Sequence, residues 1–378
     1  LDADIKMGGL LFFSLAKHQA RYFQQLLEQP GLRGTLVECD KLPRPALLDI
    51  AKVISRVPLS DIVEAKCQER RVKKKYQGLI YRLLLRLELI FTALRLQAVL
   101  KRTQPSGVVV WNGSARHCAL LLALVDPACK RFFIENGLMP NTTTLDTQGV
   151  NYNNSMPRNA DFYLSYGAAQ GDLSASPPAQ LVPRKPRVAD LQPIQLPDRF
   201  VFIPFQDDRD TQVRLFSPWI KNMRELFALG ERLASEAGLT VVFKEHPSSR
   251  ESYPELHQRC HERLLFANGN STQELIERSD FIVTLNSTVG LESLLLGKPL
   301  LTLGNAFFNI EGLVMHAKSA DELVRVASAF PNWPLNEALR LSFLHYLQHQ
   351  YCVPGSWSEA TPEHLQEAAR RIRQGLQS

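Results

Sequence analysis

The chain has 378 residues, 45% of them hydrophobic and 22% charged. These globular values exclude a disordered, collagenous or coiled-coil chain, and the length favours two domains over one large α/β domain. Forty-four Lys and Arg against 38 Asp and Glu leave a net charge of +6, enough to favour an anionic ligand or membrane surface and too little to mark a nucleic-acid binder.

The six cysteines (Cys39, Cys67, Cys118, Cys129, Cys260 and Cys352) are scattered, with no CxxC and no Cys/His cluster at zinc spacing. They read as free thiols of a reducing, cytoplasmic compartment. The first apolar run, Gly8 to Leu15, lacks a basic leader and a small-residue cleavage site, so no signal peptide is expected. The most apolar stretch, Leu79 to Leu100, is interrupted by Arg82, Arg86, Glu88 and Arg95, which argues against a membrane span.

In chain order, Met7–Ser14 reads as a strand, Ala16–Gln29 as a helix and Gly34–Glu38 as a second strand. Leu59–Arg102 is helix-rich, basic at its start (Arg70, Arg71, Lys73, Lys74, Lys75) and studded with Leu and Ile at helical spacing. It reads as helices covering a sheet with snorkelling arginines, or as a basic face for an anionic membrane leaflet. Gly107–Trp111 is a β-branched strand followed by a helix over Ala115–Leu124, and strand Arg131–Ile134 ends at Glu135-Asn136-Gly137. The polar stretch Asn141–Arg158 reads as a long functional loop. A Pro-rich segment follows, and then the alternation restarts with strands at Phe200–Pro204, Thr240–Lys244, Leu264–Ala267, Phe281–Leu285 and Pro299–Leu303. Helices are predicted over Trp219–Ala237, Thr272–Arg278, Thr288–Leu296, Asn336–Tyr351 and Pro362–Leu376.

Alternation of this kind argues for α/β architecture with parallel, doubly wound sheets. The predicted division is an N-terminal Rossmann-like domain over 1–170, a Pro-rich linker over 171–198, and a C-terminal Rossmann-like domain over 199–378, the first acceptor-binding and the second nucleotide-sugar-binding by the resemblance described below. A cleft is expected between the two domains, and the last helices could pack back on the first domain.

Ligands of open parallel sheets sit beyond the carboxyl ends of the strands, and four strand ends here are polar. Asn286-Ser287-Thr288 can cap the helix that follows, offering free N–H groups and hydroxyls to a phosphate, with Glu292 placed to reach ribose hydroxyls. His246, extended by Pro247, leaves its strand beside Lys244, Ser248 and Ser249, a donor-rich loop. Gln206 and three acids (Asp207, Asp208, Asp210) follow the Phe200–Pro204 strand, and one of the acids is a candidate nucleophile or base. Glu135, backed by Gly137, can deprotonate a sugar hydroxyl. No metal motif is present: Asp208-Arg209-Asp210 matches DxD only as letters, and RNP, KH and zinc-finger signatures are absent.

These segments together resemble the bacterial capsule-polysaccharide-biosynthesis family, in its branch of retaining β-Kdo glycosyltransferases of capsule and lipopolysaccharide O-antigen assembly. The resemblance rests on Glu135-Asn136-Gly137, the run from Gln206 through Asp210-Thr211-Gln212 to Ser217-Pro218, His246-Pro247, and Asn286-Ser287-Thr288 with Glu292 and Gly297-Lys298-Pro299. It implies a GT-B fold of two Rossmann-type domains facing a central cleft, CMP-Kdo as donor, no metal, and transfer with retention to a glycan or lipid-linked glycan. By match to the motifs, Asp210 would be the nucleophile, Glu135 the general base and His246 the phosphate ligand, with Ser287 and Thr288 at the phosphate helix. Asp207 and Asp208 leave the choice among the three acids open. Gln206, Lys244, Ser248, Asn286 and Glu292 are assigned to the donor, and Asn112, Asn136 and Arg158 to the acceptor. Peripheral contact with the inner membrane and no nucleic-acid partner complete the expectation. Rival readings are another CMP- or UDP-sugar enzyme, such as a sialyltransferase or epimerase, and a non-catalytic basic membrane adaptor.

Overall fold

The computed structural model describes residues 8–173, 191–247, 249 and 251–377. The chain opens with β1 (Leu10–Ser14), α1 (Lys17–Leu27) and β2 (Gly34–Glu38), then three helices, α2 (Ile50–Arg56), α3 (Leu59–Val72) and α4 (Leu79–Thr103). β3 (Gly107–Trp111), α5 (Arg116–Leu124), β4 (Lys130–Asn136), β5 (Thr142–Asp146) and α6 (Ala160–Gln170) follow. The second series is β6 (Val201–Pro204), α7 (Thr211–Phe216), α8 (Met223–Glu236), β7 (Val241–Lys244), α9 (Pro254–His257) and β8 (Leu264–Phe266). It continues with α10 (Thr272–Arg278), β9 (Phe281–Thr284), α11 (Thr288–Leu295), β10 (Leu300–Thr302), β11 (Met315–His316), α12 (Ala320–Ser328) and α13 (Glu337–Tyr346). A short β12 (Val353–Pro354) and α14 (Pro362–Gln377) end the chain.

Two compact units result, unit 1 from Leu1–Ser155 with Tyr351–Ser378 and unit 2 from Met156–Gln350. Unit 1 holds a six-stranded sheet in the order β12-β5-β4-β3-β1-β2, in which β1 to β4 are parallel and β5 and β12 antiparallel. Unit 2 holds a second six-stranded sheet, β11-β10-β9-β6-β7-β8, parallel at every pairing. The central strands, such as VVV at 108–110 and FIVT at 281–284, are buried along their length. Helices cover both faces of each sheet, so no residue of these strands can be polar and solvated, which explains their unbroken apolar runs.

The strand order fixes where a ligand can enter. In unit 2 the chain runs outward from β6 through β7 to β8, then returns to β9 on the other side of β6. In unit 1 the same reversal occurs between β1 and β3. At each reversal the connections leave in opposite directions and open a crevice beyond the strand ends.

The boundaries differ from the sequence expectation in two places. Unit 1 gives way to unit 2 after Ser155, not at 170, because α6 packs on α13: Tyr163 meets Phe343 at 5.2 Å between ring centroids and Tyr166 Oη lies 2.8 Å from His345 Nδ1. Of the last two long helices, only α14 returns to unit 1, where Ala368, Ala369 and Ile372 join Phe12 and Phe132 in the core. The predicted linker 171–198 falls partly outside the described residues. Its end at 191–198 has no helix or strand and is clamped to unit 2 by Asn270, which bonds both the N–H (3.0 Å) and the carbonyl (3.1 Å) of Ile194.

Local differences follow from turn chemistry. The expected loop 141–158 contains β5, because the threonines of TTTLD pair antiparallel with β4. That pairing extends β4 through Glu135 and Asn136, so both residues end a strand rather than follow one. The helix expected over Trp219–Ala237 starts at Met223, where the Asn222 side chain accepts from Glu225 N–H and Asp208 caps a further amide.

Candidate active site

Unit 2 brings three of the four singled-out segments to the carboxyl ends of three adjacent strands, β9, β6 and β7. Beyond β9, Ser287 is the N-cap of α11: its Oγ accepts from Val289 N–H at 3.2 Å, and its carbonyl accepts from Gly290 N–H at 2.9 Å. Thr288, the first helical residue, is exposed, and Glu292 is half-buried on the second turn. The helix ends at Gly297, whose φ of +68° suits glycine. Lys298 donates through its side chain to Ser279 O at 3.1 Å. The Gly297-Lys298-Pro299 motif is therefore a helix stop that fixes the position of α11.

Gln206 and Asn286 are both buried, 4% exposed each. Gln206 Nε2 donates to Asn286 Oδ1 at 3.1 Å, and Asn286 Nδ2 points at the carbonyls of Gln212 (3.0 Å) and Phe216 (3.2 Å). Expected as donor contacts, these amides instead staple the loop after β6 to the loop after β9.

The three acids diverge. Asp207 Oδ1 accepts from Arg209 N–H at 2.9 Å and closes a turn. Asp208 is 5% exposed and accepts from Met223 N–H at 2.8 Å at the start of α8. Burial pushes its carboxyl up to about 6, against the opposing pull of that N–H and of Arg224. Asp210 is exposed and caps α7, accepting from Gln212 N–H at 3.0 Å. Only Asp207 and Asp210 are open to a reacting partner, and Asp208 acts as a helix anchor.

At β7, the ammonium of Lys244 is taken up by backbone carbonyls beyond β8. It donates to the carbonyls of Asn268 (2.8 Å) and Asn270 (2.6 Å), and burial lowers its pKa. Lys244 thereby ties β7 to the segment after β8. His246 is half-buried in the loop beyond, and its carbonyl accepts from Ser249 N–H at 3.0 Å. Ser248 lies outside the described residues. Sequence reasoning missed Glu245, whose Oε1 lies 2.7 Å from His257 Nε2 and whose N–H bonds Asn268 Oδ1 at 2.9 Å. Together these bonds hold the His246 loop from both sides.

Unit 1 gathers a second cluster at the ends of β3 and β4. Asn112, at φ +60° just after β3, donates from Nδ2 to Glu135 Oε2, and Glu135 Oε1 accepts from Asn136 N–H at 2.9 Å. Both carboxylate oxygens are thus oriented while each keeps a lone pair. Gly137 makes this turn possible: a Cβ there would lie 2.0 Å from Thr142 Oγ1 and 2.2 Å from its carbonyl oxygen. Asn136 Oδ1 accepts from Trp357 Nε1–H at 2.7 Å. Trp357 in turn meets Trp111 edge-on at 4.6 Å and the exposed His18 ring at 5.5 Å. The aromatic members were missed in the sequence because Trp357 lies 221 positions beyond Asn136. Arg158, expected beside Asn112 and Asn136, belongs to unit 2, where it donates to Met156 O at 2.6 Å and its guanidinium carbon sits 5.8 Å from the Phe307 ring centroid.

All six cysteines are free, and four of them are buried. Among the described residues no group of three or more His, Cys, Asp or Glu is arranged to hold a metal ion, and no helix is long and apolar enough to cross a membrane.

Two Rossmann-type α/β units, each polar at its switch point, define the GT-B class of fold. Residues 183–353 match the family described as capsule polysaccharide biosynthesis protein. It is 39% identical over 255 residues to the protein FixF of Sinorhizobium fredii, an alignment covering 67% of this chain and 61% of FixF. It is 30% identical over 132 residues to the capsule polysaccharide export protein KpsS of Escherichia coli, covering 32% of this chain and 33% of KpsS. The chain thus spans less than two thirds of the length of these curated relatives. Among solved structures it resembles the β-Kdo 2,7 transferase of Thermosulfurimonas dismutans KpsC, with a TM-score of 0.50 at 14% identity over 96% of this chain and 99% of that one. That likeness shows the fold.

Proposed function

We propose that the chain is a glycosyltransferase of surface-polysaccharide synthesis that moves Kdo from CMP-Kdo to a glycan or lipid-linked glycan, with retention and without a metal. The observation that carries this reading is the α11 N-terminus, capped by Ser287, at the β6/β9 switch point, in a sheet whose next strand end carries His246. A helix start presents about half a positive charge to an anion, and an imidazole at a strand end of the same sheet suits a monoester-like leaving group. The match of residues 183–353 to the capsule polysaccharide family supports the same reaction class.

In this reading unit 2 takes the donor. As the anomeric C–O bond breaks, its electron pair leaves with the CMP phosphate, towards the positive end of α11. This stabilises the transition state more than the ground state. Asp210 is the proposed nucleophile: its carboxylate forms a covalent glycosyl ester, which the acceptor hydroxyl then displaces, the two inversions giving retention. Glu135 is the proposed base that receives the acceptor's proton. Unit 1 takes the acceptor at Asn112, Asn136 and Trp357, where an indole face suits the apolar C–H face of a sugar ring. The reading locates the protein in the cytoplasm with peripheral contact at the inner membrane.

The test is turnover of CMP-Kdo, CMP-sialic acid and UDP-sugars offered in parallel with glycan acceptors, followed by mass and NMR analysis of the product. A β-linked Kdo product from CMP-Kdo alone supports the reading. Turnover of only a UDP-sugar removes it.

A further inference from the structure

Helix α4 is apolar on two opposite faces. One face, Leu85, Leu89, Ala93 and Leu96, is buried in the core of unit 1. The other, Ile80, Leu83, Leu84, Leu87 and Phe91, follows the same helical spacing and is 51–68% exposed at every position. A helix hydrophobic all round is normally buried all round, so this second stripe is a surface made for contact. It is continued by the neighbouring segment before and within α2, where Leu48 is fully exposed and Ile54 is 51% exposed.

The charge around the stripe identifies what covers it. Residues 44–91 contain eleven Lys and Arg and five Asp and Glu. Their excess of six equals that of the whole chain, so the remainder of the protein is neutral. Arg71, Lys74 and Lys75 are exposed at the end of α3, and Arg86 is exposed within α4 itself. A second copy would bring this positive face against its own like. An apolar stripe bordered by cations matches an anionic bilayer, whose acyl region takes the leucines and whose phosphates take the lysines. Arg82, Arg86, Glu88 and Arg95 within α4 are incompatible with spanning.

We infer that the exposed face of α4, with the α2 segment and the basic end of α3, is a docking surface that lies in the headgroup region of an anionic membrane. The inference stands apart from the choice of sugar donor, since it uses none of the residues assigned to transfer.

The test is co-sedimentation of the full chain with vesicles of phosphatidylglycerol and phosphatidylethanolamine, against vesicles of phosphatidylcholine. Binding to the anionic vesicles alone, weakened by salt, is expected. The triple variant Ile80→Gln/Leu84→Gln/Leu87→Gln, altered only at exposed positions, is expected to lose about a hundredfold in affinity or more. Lys74→Gln/Lys75→Gln should lose roughly tenfold. Circular dichroism identical to that of the parent identifies variants that still fold, and the lysine pair, remote from the core, provides a reading if the triple variant does not. Equal binding to both vesicle types, undiminished binding by the variants, or a parent dimer that the triple variant converts to monomer would each overturn the inference. No sugar nucleotide enters the assay, so its outcome is separate from that of the transfer reaction.

Discussion

Asn136 and Trp357, 221 positions apart, meet through a 2.7 Å hydrogen bond from the indole N–H to the amide oxygen. The bond fixes the plane of an aromatic ring next to Glu135, the proposed base. Trp357→Phe keeps an aromatic ring but loses the tether, and it is expected to raise KM for the acceptor about tenfold while CMP binding stays unchanged. Steady-state kinetics at varied acceptor checks this. An unchanged KM would leave the ring as packing alone.

The amide pair Gln206 and Asn286 has a different role, joining the loop after β6 to the loop after β9. Asn286→Ala removes the acceptor of Gln206 and the donor to the carbonyls of Gln212 and Phe216. Leaving buried polar groups unpaired costs about 1–3 kcal/mol each, so urea unfolding should report a loss of at least about 2 kcal/mol. A variant of parental stability with lost CMP affinity would instead make Asn286 a direct ligand.

Asp208 gives the protein a pH dependence of known sign. Its folded pKa, about 6, lies above the ordinary carboxylate value of 3.8. The folded state therefore binds the proton more tightly. This contribution to stability is complete below about pH 4 and is lost as the pH rises through 6. The full effect is on the order of 2–3 kcal/mol. Asp208→Asn keeps an acceptor for Met223 N–H without the charge, so its unfolding midpoint should not show that decline. Parallel unfolding series between pH 4 and 7 measure the difference.

Ser287 and His246 separate a structural contribution from a ligand contribution. Ser287→Ala loses the N-cap of α11, a stability cost of about 1 kcal/mol, together with weaker CMP binding. His246→Ala should weaken CMP binding about tenfold or more, beyond what any change in its unfolding temperature accounts for. Calorimetric titration with CMP, run beside thermal unfolding, distinguishes the two. Full CMP affinity in both variants would remove the phosphate site from α11.

Much of this architecture was legible in the sequence because buried parallel strands leave no alternative to continuous apolar runs: GVVVW and FIVTL could be read as strands without a partner in view. The polar segments at their ends were legible for the same reason, as abrupt changes from apolar to polar. What each polar side chain does was not legible, because its partner lies far along the chain. Lys244 looked like a phosphate ligand until the carbonyls of Asn268 and Asn270 came into reach, and Asn286 looked like a donor contact until Gln206 met it. β5 was hidden because its pairing depends on the close approach of Gly137 and Thr142, which no periodicity encodes. The separation of α13 from α14 into different units was likewise set by packing, since both helices are amphipathic and either could have covered either sheet.

The central claim, transfer of Kdo through a carboxylate of unit 2, is tested most directly by incubating the protein with CMP-Kdo and analysing its peptides by mass spectrometry. The account expects release of CMP and one Kdo residue attached to the peptide that carries Asp210, absent from Asp210→Asn. Unaltered CMP-Kdo, or an Asp210→Asn variant that transfers Kdo at the parental rate, would contradict it.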